Sequence, residues 1–315
     1  MTRRAPILVS SDNHELPYSK GVMAAEITAT GLSPSRAYEV AEAIEEHLIA
    51  TERRQLTADA LAELATGVIE SEVGERYARN FTRWRALGAI DRPLVILIGG
   101  TTGVGKSTIA TQIASRLGIT RVIPTDAIRE VMRGMFTTEL MPSLHTSSFE
   151  AERLVVQPLP KSADKVIIGY REQARAVCVG VDSLISRAIN EGTDLIIEGA
   201  HACPGYFKEP SPQEAVFVPI VISIGDETLH RSHFAFRSRE ARDRPQGRYL
   251  KYFANIRRIQ KYIRKSASSN GVPIVESFEL DRTVSECIDL VLDRVAQAVG
   301  EGNLESTRRV APNSG

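Results

Sequence analysis

The 315-residue sequence has three cysteines, one tryptophan and no excess of charge of either sign. Cys178, Cys203 and Cys287 are scattered, with no close pair and no metal-ligand spacing. That excludes a disulfide framework and favours a reducing compartment. Thirty-nine Lys and Arg stand against 39 Asp and Glu, which argues against a generally basic nucleic-acid binder and against a highly charged disordered chain. Long apolar runs are missing as well. Leu94 to Ile98 and Ala215 to Ile222 fall well short of the roughly 20 residues that span a bilayer. The opening Met-Thr-Arg-Arg-Ala-Pro leads into no apolar stretch of the kind a secretion signal requires. The expectation is a cytoplasmic protein with no membrane and no nucleic-acid partner. What the sequence does hold is 43% hydrophobic residues, enough for a sizeable core in one large domain or two ordinary ones.

Two regimes of pattern meet near Asp91-Arg92-Pro93. Residues 1–90 read as a small, mainly helical unit with a β edge at Ile7 to Ser10. Leu32-Ser33-Pro34-Ser35 is a helix start, and Ala37, Val40, Ala41, Ile44 and Leu48 then recur at helical spacing, leaving Glu39, Glu42, Glu45 and Glu46 outside. A second helix begins at Thr57, and a third is predicted from Glu72 to Leu87 with Tyr77, Phe81 and Trp84 on one face. Residues 91–300 alternate short apolar strands with longer helices, the signature of an α/β domain with a mainly parallel sheet flanked by helices. The predicted strands are Leu94 to Gly100, Arg121 to Pro124, Leu195 to Glu198, Phe217 to Ser223 and Pro273 to Glu276. Helices are predicted over Lys106 to Leu117, Ala127 to Arg133, Arg171 to Asn190, Tyr249 to Ala267 and Thr283 to Ala298. Residues 301–315 form a polar tail, expected to be flexible.

Gly100-Thr101-Thr102-Gly103-Val104-Gly105-Lys106-Ser107 fits the pattern Gly, any four residues, Gly-Lys-Ser/Thr. An apolar strand runs into it, and Ser107-Thr108-Ile109 opens a helix behind it. Glycines let the backbone curl so that successive N–H groups face phosphate oxygens, and the helix N-terminus adds its positive end. Lys106 would reach the β- and γ-phosphates of ATP, and the Ser107 hydroxyl would ligate Mg²⁺.

The residues downstream narrow the chemistry. Asp126 closes the second strand at the carboxyl edge of the sheet, where ligands bind in such folds. It would orient or deprotonate an acceptor hydroxyl, or simply cap the helix that follows. Arg129 and Arg133, four apart on that helix, would grip an anionic acceptor unless they are only solvated. Glu198 arrives at the same edge and would join the Mg²⁺ shell; His201 follows it as a substrate contact or a structural hydrogen-bonder. His230 and His233 look like a metal pair without a third ligand, so no zinc is expected. From Arg231 to Lys265, 12 Lys or Arg face only Glu240 and Asp243. Arg237, Arg239, Arg242, Arg244 and Arg248 are candidates for a lid closing over the transferring phosphoryl group, with Arg257 reaching in from behind.

These segments resemble the 2-phosphoglycerate kinase family. The resemblance rests on Gly99 to Thr108, Pro124 to Arg133, Leu144-His145-Thr146-Ser147-Ser148-Phe149, Ile197-Glu198-Gly199-Ala200-His201 and Arg248 to Ile263, and covers roughly Pro93 to Ala298. It implies a P-loop kinase that converts 2-phosphoglycerate and ATP into 2,3-bisphosphoglycerate, with His145, Ser147 and Ser148 helping to line the acceptor pocket. Residues 1–90 separately resemble an ATP-cone, a nucleotide-binding regulatory domain, through Pro17-Tyr18-Ser19-Lys20-Gly21-Val22-Met23 and the Tyr77 to Trp84 ending. The expected partner is a small anionic phosphorylated acceptor, with a homo-oligomer left open. Three alternatives also stay open at this point: a kinase of another phosphorylated polyol such as an inositol phosphate, a non-catalytic ATP sensor, and a nucleic-acid-stimulated NTPase that uses the basic block.

Overall fold

The computed structural model describes residues 7–11, 14–51, 55–88, 90–155, 158–240 and 246–310, without the side chains of 11, 235–240, 246 and 301–310. It separates into two compact units, Met1–Ile90 with Ile288–Gly315, and Asp91–Cys287.

The first unit begins with β1 (Leu8–Ser11), β2 (His14–Pro17), α1 (Lys20–Thr28), α2 (Pro34–Ala50) and β3 (Gln55–Thr57). β1 pairs antiparallel with β2 and parallel with β3. α2 buries Ala37, Val40, Ala41, Ile44 and Leu48, the face the spacing predicts. The predicted helix from Glu72 is divided differently. α3 (Ala58–Val73) runs to Gly74, whose φ of +101° ends it, and α4 (Glu75–Leu87) restarts immediately. Against α4 lies the last part of a long C-terminal helix. Asp289 accepts from the buried Asn80 Nδ2 at 2.6 Å and pairs with Arg76, and Asp293 pairs with Arg83.

The second unit is built from β4 (Leu94–Gly99), α5 (Lys106–Leu117), β5 (Val122–Pro124), α6 (Thr125–Met135), α7 (Lys165–Glu191), β6 (Leu195–Gly199), β7 (Val216–Ser223), α8 (Glu227–Glu240), α9 (Gln246–Lys251), α10 (Phe253–Ser269), β8 (Ile274–Glu276) and the start of α11 (Leu280–Val310). The five strands are parallel, in the order β5-β6-β4-β7-β8. Every residue of β4 and β6 is buried, which explains their continuous apolar runs: helices cover both faces of a parallel sheet. The register sets Ile98 beside Glu198 and Pro124 beside Glu198, so the carboxyl ends of the central strands finish together.

Three details depart from the sequence reading. The helix predicted from Tyr249 is split at Tyr252 into α9 and α10. Between α6 and α7 the chain forms two 3₁₀ turns, Pro142–His145 and Ser148–Leu154. α11 runs on to Val310, where the sequence suggested a tail from residue 301; residues 311–315 lie outside the described residues. Among the described residues no helix is long and apolar enough to cross a membrane.

Candidate active site

β4 ends in the loop Gly100–Gly105, and α5 starts at Lys106. Gly105, the N-cap, has φ +88° and ψ 8°, a left-handed conformation that an L side chain adopts at a cost and glycine adopts freely. Gly103 is equally constrained, at φ +89°; a Cβ there would fall 2.4 Å from the Phe234 ring. Lys106 is buried, with its Nζ donating to the Thr101 carbonyl at 2.8 Å. Ser107 Oγ donates to Glu198 Oε1 at 2.7 Å, joining the first turn of α5 to the end of β6.

This edge opens into a cleft of about 380 Å³. Thr102, Lys106 and Ser107 line one side. Asp126, Arg129, Ser147, Ser148 and Arg248 line the other, and Glu198 lies at the base. Asp126 is exposed in the first turn of α6, where no side-chain cap bond forms, and its Oδ1 receives Arg129 Nε at 3.4 Å. Arg129 is also tied into the fold: its Nη1 donates to the Leu144 carbonyl at 2.9 Å and the Thr146 carbonyl at 3.3 Å, and its Nη2 to Glu130 Oε1 at 2.8 Å. Arg248 donates Nε to Glu150 Oε2 at 2.8 Å and Nη2 to Ser147 Oγ at 3.2 Å. Glu150 is itself buried, so a buried carboxylate aims an arginine into the cleft. The rings of Phe149 and Tyr249, 5.7 Å apart and tilted, close the wall beside it.

Four residues expected at the acceptor lie elsewhere. Arg133 pairs with Glu130 at 3.1 Å and is half-exposed. His145 turns its Nε2 to the Phe136 carbonyl at 2.9 Å. Arg257 donates to the Ile224 and Gly225 carbonyls at 2.7 and 2.8 Å and lines a separate groove with Glu227 and Lys261. His201 is buried behind the edge, 2.9 Å from Thr125 Oγ1 and 3.0 Å from Gln173 Oε1. Burial pushes its pKa down to about 4, so the ring is neutral near pH 7. The amide oxygen accepts from Nε2–H, which leaves Nδ1 to accept from the threonine hydroxyl. Gln173 Nε2 continues the chain to the Ser143 and Thr146 carbonyls. The side chains of Arg237 and Arg239 on α8, and all of Arg242 and Arg244, lie outside the described residues. Thr108, next in α5, is exposed.

Glu150 and Gln173 were not singled out in the sequence, and Phe149 and Tyr249 entered only as the ends of longer segments, with no site role. Nothing local marks them, because each gains its role from a partner far along the chain.

No family model matches the chain. It is, however, 38% identical to the 2-phosphoglycerate kinase of Methanothermobacter thermautotrophicus over 95% of this chain and 97% of that one. For the 2-phosphoglycerate kinases of Methanopyrus kandleri and Methanocaldococcus jannaschii the identities are 37% and 39%, over 94% and 92% of this chain and 90% and 92% of theirs. The chain belongs to the 2-phosphoglycerate kinase family. Membership spans both units, since the alignments cover residues well beyond the phosphate-loop unit.

Proposed function

We propose that the chain transfers the γ-phosphoryl group of ATP to the free hydroxyl of 2-phosphoglycerate, forming 2,3-bisphosphoglycerate. The observation that carries this reading is the convergence on one cleft of a phosphate loop with an acceptor wall of Arg129, Ser147, Ser148 and Arg248. A substrate with both a carboxylate and a phosphate needs such a set of cations and hydroxyl donors.

The loop amides and Lys106 would hold the β- and γ-phosphates, and Arg129 and Arg248 would hold the acceptor's anionic groups. Asp126, alone among the described carboxylates at the exposed mouth of the cleft, would orient the acceptor hydroxyl and receive its proton. The oxygen pair Ser107 and Glu198, 2.7 Å apart, is a hard donor set suited to Mg²⁺ completed by phosphate oxygens and water. Bound there, the cation would neutralise charge on the β- and γ-phosphate oxygens. Catalysis on this reading is positioning and charge stabilisation. A coupled ADP-release assay with 2-phosphoglycerate, 3-phosphoglycerate, glycerate and inositol phosphates tests it. Release should depend on 2-phosphoglycerate, and equal turnover with the other acceptors would overturn the assignment.

A further inference from the structure

His230 and His233 stand three apart on α8, hence on one helix face, and the fold gives this pair a use other than metal binding. His230 Nε2 lies 2.9 Å from the Thr102 carbonyl oxygen, and His233 Nδ1 lies 3.1 Å from that of Gly103. A carbonyl only accepts, so each ring donates an N–H, from Nε2 in one case and Nδ1 in the other. The remaining nitrogen of His230 faces Arg257 Nη1 at 3.4 Å, which requires Nδ1 to be the acceptor. Phe234 stacks on His230 at 5.4 Å, and Phe253 meets it edge-on at 5.3 Å. The ring of Phe234 also covers Gly103. Burial, with Arg257, His233 and Lys106 nearby, lowers the His230 pKa to about 4, consistent with a neutral donor.

In a trans peptide the carbonyl of one residue and the N–H of the next point in opposite directions. Anchoring the Thr102 and Gly103 carbonyls to α8 therefore turns the Gly103 and Val104 N–H groups away from that helix. We propose that His230 and His233 are positioning residues of the phosphate loop, setting two consecutive peptide planes so that the Gly103 and Val104 amides donate to nucleotide phosphate. This inference rests on the kinase reading only in taking the loop to bind a nucleotide. It assigns Arg257, absent from the acceptor wall, to fixing the His230 tautomer from behind.

The test is direct titration of ADP with Mg²⁺ into the full chain, which needs no acceptor. His230→Gln keeps an amide donor near the Nε2 position and His233→Asn keeps one near Nδ1, whereas His230→Leu and His233→Ala keep none. The donor-less variants should bind ADP about tenfold more weakly, while the donor-keeping variants should stay within about threefold of the parent. In steady state the loss should fall on KM for ATP and leave KM for the acceptor within about twofold. Melting temperatures without nucleotide check folding; if His230→Leu does not fold, the less buried His233 pair decides. Parental ADP affinity in His233→Ala, or equal weakening in His233→Asn and His233→Ala, would overturn the proposal. Donor-dependent ADP binding without 2-phosphoglycerate-dependent ADP release would instead sink the reaction assignment and leave the histidine assignment standing.

Discussion

The phosphate side of the cleft comes from consecutive residues, Gly100 to Ser107, set between β4 and α5. The facing side draws Asp126 and Arg129 from α6, Ser147 and Ser148 from a 3₁₀ segment and Arg248 from α9. The first surface takes its curl from its own backbone, the left-handed Gly103 and Gly105 above all, and is held from outside by His230 and His233 on two of its carbonyls. The second is fixed by long-range polar ties: Arg248 to Glu150, Arg129 to the Leu144 carbonyl, and Thr125 through His201 and Gln173 to the Thr146 carbonyl. One surface therefore takes most of its shape from a short run of sequence, and the other exists only once the tertiary structure has formed.

The sharpest break of this contrast is Lys106→Ala. It should lower ADP release by about 10³-fold or more with the circular dichroism spectrum unchanged; an active variant would remove the loop from the mechanism. Asp126→Asn should lower kcat by about 10²-fold with KM for ATP nearly constant, and a loss mainly of ATP affinity would move Asp126 to metal or nucleotide duty. The buried network behind the acceptor side has a pH signature. The unfolded chain protonates His201 near its ordinary value of 6.5, the folded chain only near 4. The neutral ring is thus the form the fold favours, and its contribution is complete above pH 6.5 and lost as pH falls toward 4, by about 3 kcal/mol at most. Urea titrations should show a shallower decline over that interval in His201→Asn; His230, lowered to about 4 as well, acts in the same direction in both proteins. Glu150→Gln should raise KM for 2-phosphoglycerate about tenfold while KM for ATP stays within about twofold. A change in both would show that the two surfaces are not independent. Arg133→Ala, on the outer face of α6, should leave both constants within about twofold.

How far the sequence carries follows the same contrast. The phosphate loop, the flanking strand and helix, and the delivery of Glu198 and Asp126 to the sheet edge are legible because each depends on spacing within a short segment. α2 is legible for the same reason, its buried residues being those of one helical stripe. The acceptor wall is legible only in part. Ser147 and Ser148 were reached through family resemblance and Arg248 through the basic run, as a lid residue and not as part of this wall, whereas Glu150, which holds Arg248, has no local mark. His201 and Arg257 follow the opposite course. Their residue types suggested ligand contact, but carbonyls and amides already inside the fold take up their hydrogen bonds. The break between α3 and α4 was expected but placed before Glu72, whereas the positive φ of Gly74 sets it two residues later, leaving Glu72 and Val73 in α3.

The pairing of Arg248 with Glu150 also bears on how the cleft behaves toward dissolved salt. Lys106, Arg129 and Arg248 line the cleft with Asp126 and Glu198, and the buried Glu150 offsets Arg248 from behind the wall, so these six charges sum to zero. Such a surface recognises an anion through directed donors and generates little long-range field. Capture of the acceptor should then respond weakly to ionic strength, since screening over about 10 Å in 0.1 M salt has little net field to remove.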